Sequence, residues 1–391
     1  MSSLLPVIPL SVTRGFTMAL LSALLLGCGG SDGSDTVQQP VVEKTKDDAL
    51  GAITKDEVVK NPNTPSTPPA APNQIDLSQS ELAVSKRLNQ RRTACGFGTV
   101  TVEPRLKQAA DNHANYLLHM AQYSSNDFQG HFEYAVDGDS GSSNPYYSGM
   151  EVTDRVSTRQ LGRQAKAVNY PYRVVTEDLS FFRFNDAYFS KYGDEQIALS
   201  SLNSLLAAPY HMASLLGPEL SEIGVSYGRA PLATPLQLSN GSSTSAQGSV
   251  LELVLASPAE QAQRVNSQIL NYPCDGTIGT QYELTHESPN PFGNNGRDLA
   301  REPIGQPIYI LGNGKLTVSN YKMTDAANRE IALKNLTSAN DLHKLLTPNQ
   351  VILMPMESLV PNQSYRVTYS ATVNGRDLQN KTLTFTTKAA S

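Results

Sequence analysis

The chain has 391 residues, 31 of them Lys or Arg and 36 Asp or Glu, for a net charge of −5 at neutral pH. That balance, with no long basic run, argues against a nucleic acid as partner. A chain of this length also exceeds one typical domain, so more than one folded body is expected.

In chain order, the first feature is an address. Arg14 precedes an apolar run, residues 15–27, that is too short to span a membrane as a helix. The run ends in Leu25-Leu26-Gly27-Cys28, which resembles the lipobox of bacterial lipoproteins. The resemblance implies that residues 1–27 are a signal peptide and that Cys28 is the lipid-carrying first residue of the mature chain, with palmitate among its acyl groups. The membrane is then a partner through that lipid. Gly29 and Gly30 follow with no Asp beside the cysteine, so the implied destination is the cell envelope, at the outer membrane. Residues 28–75 lack aromatics and are rich in Pro, Thr, Asp and Ser. They cannot bury enough apolar surface to fold and predict a flexible tether spanning about 40 Å.

A mixed α+β domain is expected over 76–275. Residues 78–95 open on Ser78 and Glu81 and place Leu82, Val84 and Leu88 at apolar positions, which predicts a first helix. Leu106, Ala110, His113, Leu117 and Met120 recur at spacings of three and four, so residues 104–122 predict a second helix, with Pro104 in its first turn. A polar loop follows over 124–148 and a helix over 158–170. Residues 173–182 read as a short strand or turn, and 193–211 as a helix that Pro209 breaks. Residues 222–229 and 249–257 read as strands.

Residues 276–300 read as a linker, and 301–391 as a small all-β domain. Short strands are predicted over 307–311, 315–320, 329–336, 350–356, 364–373 and 381–387. Tyr365, Val367, Tyr369, Ala371 and Val373 alternate strictly and end at Asn374-Gly375, a type I′ hairpin signal. The last strands resemble the end of bacterial Ig-like domains, which implies a β-sandwich.

With Cys28 lipidated, Cys95 and Cys274 remain in an exported chain, and a disulfide between them is the economical pairing. It would close a loop of about 180 residues, a constraint of roughly 5 kcal/mol in the chain-entropy model. With no Cys-x-x-Cys, neither a zinc knuckle nor a redox pair is available.

There is no Gly-x-Ser-x-Gly elbow, no His-Glu-x-x-His and no phosphate-cradling Gly-rich loop. The chemistry therefore falls on His113, His119, His131 and His211. His113 lies on the apolar stripe of its helix and reads as a core histidine; His119 reads as exposed. The order of landmarks says more. A helix with Ala-Ala-Asp-Asn-His113 is followed by His131, Asp154-Arg155, Asn169-Tyr170, Thr176-Glu177-Asp178, and Pro209-Tyr210-His211 leading to Ile223-Gly224-Val225. This order resembles the bacterial branch of the CAP family, the cysteine-rich secretory, antigen 5 and pathogenesis-related (SCP-like) proteins.

The resemblance spans about residues 80–258. It implies a three-layer α-β-α sandwich with a surface cleft. In that cleft His131, Glu177 and His211 stand where the family places its cleft residues. Members of the family hold a divalent cation there, and two imidazoles with a carboxylate form a suitable set for Zn²⁺. The chain departs from the family at Thr176, Asp178, Asn169, Leu205 and Tyr210, the last expected to narrow the cleft mouth. No second cleft glutamate is evident. The reading that follows is a lipid-anchored, exported binding module whose cleft takes a cation, a small molecule, a lipid or an envelope partner. The alternatives are a metal-assisted hydrolase with Glu177 as general base, and a structural envelope lipoprotein with a vestigial cleft.

Overall fold

A computed structural model describes residues 75–123, 130–134, 144–156, 167–237, 243–260, 268–293 and 296–390. The signal peptide, Cys28, nearly all of the tether and most of the helix expected over 158–170 lie outside the described residues.

The N-terminal body is built on a four-stranded sheet with the order β1-β3-β6-β2. Its strands are β1 (Thr101–Val102), β2 (Tyr172–Phe184), β3 (Glu222–Pro231) and β6 (Gln247–Pro258). A minor hairpin of β4 (Leu236–Gln237) and β5 (Ser243–Thr244) stands apart from it. The helices are α1 (Gln79–Ala94), α2 (Pro104–Tyr123), α3 (Val152–Val156), α4 (Asp186–Leu205) and α5 (Pro209–Leu215).

Helices cover both faces of the sheet, and the period-two pleat of β6 shows how. Val250 and Val254 pack with α2, whereas Leu251, Leu253 and Leu255 pack with α1, α4 and α5. This is the expected α-β-α sandwich. Ser78 caps α1, accepting from the Glu81 amide while the Glu81 carboxylate accepts from the Ser78 amide. Residues 172–184, expected as a short strand or turn, form the long edge strand β2 paired to β6 along its length. Gly224 lets α2 lie close on β3. A Cβ there would sit 2.0 Å from the Leu106 carbonyl oxygen.

The C-terminal body is a sandwich of two sheets, ordered β11-β10-β14-β15-β8 and β12-β13-β9-β7. The strands expected from alternation are present as β9 (Ile308–Leu311), β10 (Leu316–Asp325), β11 (Glu330–Ile331), β12 (Leu333–Thr337), β13 (Gln350–Pro355), β14 (Ser364–Val373) and β15 (Arg376–Thr387). Asn374 and Gly375 both take positive φ, 53° and 72°, between β14 and β15, as a type I′ turn requires. Two more strands, β7 (Leu270–Tyr272) and β8 (Thr277–Thr280), lie before residue 301 and join these sheets. The segment 276–300 therefore contributes a strand to the sandwich as well as connecting the two bodies.

Both faces of the β9–β13 sheet are buried. Ile308, Ile310, Val351 and Leu353 face the other sheet of the sandwich, while Tyr309, Leu311, Ile352 and Met354 enter the core of the N-terminal body. Phe97 stacks on Tyr309 with ring centroids 6.1 Å apart. Cys95, which caps α1, is bonded to Cys274, between β7 and β8. Beside it the buried guanidinium of Arg92 donates to the carbonyls of Phe97, Gly98, Leu215, Gly217 and Leu220, tying α1 to the chain after α5. No described helix is long and apolar enough to cross a membrane.

Candidate functional site

Glu177 and Asp178 are consecutive on β2, so the pleat sends them to opposite faces of the sheet. Glu177 turns to the α2 side. There Arg155 of α3 donates to its Oε1 and His131 Nδ1 donates to its Oε2 at 2.8 Å. Burial alone would raise the Glu177 pKa. The charge of Arg155 beside it, then His113 and the His131 bond, hold it well below the usual carboxylate range instead. It is a carboxylate with both oxygens engaged, and a weak base.

His131 is lowered from the ordinary imidazole range, because burial outweighs the pull of Glu177. Its ring is neutral, with the proton on Nδ1 and the lone pair on Nε2. Asp178 faces α5, where it accepts from Ser214 Oγ at 2.8 Å, and burial pushes its carboxyl up to about 7. The His211 ring lies on the same side. Its Nδ1 is 3.1 Å from Glu287 Oε1, an acid well beyond the matched landmarks. Burial would lower the His211 pKa, but the Glu287 bond and charge, with the charge of Asp178, outweigh it and raise it.

The rings of His131 and His211 then meet, stacked at 26° with centroids 6.3 Å apart. Each residue keeps 6% of its surface exposed. Neither Nε2 has a hydrogen-bond partner among the described residues. The three residues expected to share a cleft therefore do converge, but not as three equivalent ligands. Glu177 stands behind His131, fixing its tautomer, in the arrangement that outer carboxylates adopt at metal-binding histidines. As they stand, the oxygens of Glu177 are engaged by Arg155 and His131, so Glu177 supports His131 while the two imidazoles are the groups left open to a ligand.

Beneath this cleft His113, Glu177 and Glu252 each bring a ligand atom within 4.8 Å of the others, so this buried group can hold a metal ion. Its present bonds show what an ion would displace. His113 is a buried histidine, as its place on the apolar stripe suggests, with Nε2 3.0 Å from the Gly130 carbonyl and Nδ1 3.0 Å from Glu133 Oε1. A carbonyl only accepts, so Nε2 is a donor there and its lone pair is occupied. Glu133 also accepts from the Ser148 and Gly149 amides. Glu252 is fully buried, and neither of its oxygens has a donor among the described residues. Burial and the negative charge of Glu177 raise its pKa well above the usual carboxylate range.

Tyr210 does not narrow the cleft mouth. Its side chain is buried and its hydroxyl donates to Asp341 at 2.6 Å, with the His343 ring edge-on. His119, expected as exposed, is half-buried against the edge of Tyr146. Glu252, Glu287 and Arg155 are the site residues that the sequence reading did not assign. For Arg155 a signal existed in the Asp-Arg landmark. For Glu252 there was one in an acid amid an otherwise apolar strand.

Residues 86–232 match the family model described as the cysteine-rich secretory protein family, CAP. No curated protein matches the chain. Solved structures with some likeness include PcoC, a methionine-rich copper resistance protein from Escherichia coli. It is 18% identical, covering 30% of this chain and 93% of that one, with a TM-score of 0.20. CopC from Methylosinus trichosporium OB3b is 11% identical, covering 31% and 91%, with a TM-score of 0.21. A DUF4426 family protein from Pseudomonas aeruginosa PAO1 is 8% identical, covering 34% and 96%, with a TM-score of 0.22. Such scores add nothing to the reading of the site. The matched span holds α2, His131, Arg155, Glu177 and His211 on their α-β-α sandwich, and residues 86–232 are thereby a domain of the cysteine-rich secretory protein (CAP) type.

Proposed function

We propose that the protein is an exported, lipid-anchored binding module whose cleft takes a divalent cation, Zn²⁺ being the best fit, through Nε2 of His131 and of His211. One observation carries the reading. A neutral imidazole, its Nδ1 proton held by a buried carboxylate, stacks against a second imidazole, and each residue keeps a small solvent-exposed fraction. The lone pair on His131 Nε2 is the ligand type zinc prefers, and Glu177 as its outer partner strengthens it. A bound cation would supply a fixed positive charge for an anionic ligand at the cleft. The chain's own residues hold and orient the two rings and keep Glu177 ionised.

The hydrolase reading is weaker. Glu177 is locked to Arg155 and held far below the range of a useful general base. The anchor at Cys28 and the outer-membrane location remain part of the proposal, supported by the lipobox-like Leu25-Leu26-Gly27-Cys28 and the tether behind it.

The test is a calorimetric titration of Zn²⁺ into the metal-stripped protein and its His131→Ala/His211→Ala variant. The expected result is one site in the wild type and at least a 100-fold loss in the variant. Equal binding by both proteins would defeat the cleft as the site. Competition between Zn²⁺ and the His211 proton should also make affinity rise with pH.

A further inference from the structure

The second acid of the cleft arrives from outside the matched family span. Glu287 lies in the segment between the two bodies, past the disulfide and pinned near its ends by the Leu284–Ile304 bridge. Its side chain is wholly buried. Oε1 accepts from the Tyr210 amide at 3.0 Å and from His211 Nδ1 at 3.1 Å. Oε2 is buried with no donor among the described residues. Ala208, the residue before α5, offers no side-chain cap, so the Tyr210 amide would otherwise be an unpaired donor at a helix start.

We infer that Glu287 is a positioning residue for His211, and that the site is completed by the segment that leads into the sandwich. The geometry repeats that of the first histidine: Glu177 behind His131 Nδ1 and Glu287 behind His211 Nδ1, with the two rings stacked on each other and neither Nε2 bonded among the described residues. An imidazole in water prefers its proton on Nε2, which would close that nitrogen to a cation. A carboxylate fixed at Nδ1 reverses the choice. Because Glu287 is held by the segment that leads into the sandwich, a ligand on His211 and the docking of the two bodies stabilise each other.

The consequence for cation binding rests on the cleft reading above, but the positioning of the ring does not, and the experiment separates them. The full-length protein, labelled with ¹⁵N at histidine, is prepared as wild type, Glu287→Gln and Glu287→Ala. Long-range ¹H–¹⁵N spectra are taken at about pH 9, above the ordinary imidazole range. His211 should show the Nδ1–H tautomer in the wild type and in Glu287→Gln, whose amide oxygen still accepts. It should move toward Nε2–H in Glu287→Ala. If Glu287 merely caps α5, Glu287→Ala lowers the melting temperature and leaves the His211 tautomer unchanged, which overturns the inference. Zn²⁺ titration of the same proteins should show a loss of roughly 10–100-fold for Glu287→Ala, the usual effect of removing an outer partner. A tautomer shift in a protein that binds no Zn²⁺ would leave the positioning role standing and remove the cation reading alone.

Discussion

Two neighbouring carboxyl groups on one edge strand have opposite fates, and the difference is one of company. Glu177 meets Arg155 and two imidazoles and stays ionised. Asp178, one residue on, meets a single hydroxyl and a partly balanced His211, and burial pushes it up to about 7. Its unfolded value is near 3.9. Between about pH 4 and 7 the folded state therefore keeps a proton that the unfolded chain has released, and stability falls as pH rises through that window. The full penalty, of the order of 4 kcal/mol, applies above it. Asp178→Asn keeps an acceptor for Ser214 and carries no charge. It should melt higher than the wild type at pH 8 and the same at pH 4, read by thermal denaturation across pH. A variant no more stable at pH 8 would show that Asp178 is ionised at no cost. The same contrast explains why His131 suits a cation while His211 must first give up a proton.

At the scale of elements, periodicity made much of the fold legible. The apolar stripe of α2, the capping pair of α1, the break at Pro209 and the alternation of β14 follow from short-range spacing, and each stands where expected. β2 was harder to read, because Thr176-Glu177-Asp178 places consecutive polar residues within a strand, and their reason for being there is the chemistry on its two faces. Glu287 was not legible at all. It pairs with a histidine 76 residues away, and Thr285-His286-Glu287-Ser288-Pro289 has the composition of an ordinary connector. The contact of α2 with β3 rests on one missing methyl. Gly224→Ala should cost about 3 kcal/mol or more, since the added Cβ meets backbone rather than a yielding side chain. A denaturant midpoint within error of the wild type would contradict that packing.

At the scale of the molecule, the disulfide and the shared core do the same job. Cys95 and Cys274 are 179 residues apart, and their bond ties the first helix to the entry of the sandwich. Replacing both by serine should lower stability by 2 to about 5 kcal/mol, the upper end being the chain-entropy value, measured as a drop in the guanidinium midpoint with a steeper slope, because the denatured chain without its cross-link exposes more surface. A midpoint that does not move would mean that the cross-link contributes no net stability, its constraint on the denatured chain being offset in the folded one.

The sheet of β9 and β13, covered on both sides, has a practical consequence for anyone who would work with fragments. Neither half is a portable module. A cut near residue 275 would leave an oily wall, with Phe97, Leu205 and Tyr210 among its stones, standing open to water. A truncated piece that precipitates would then report the loss of its neighbour rather than any fault in the histidine pair.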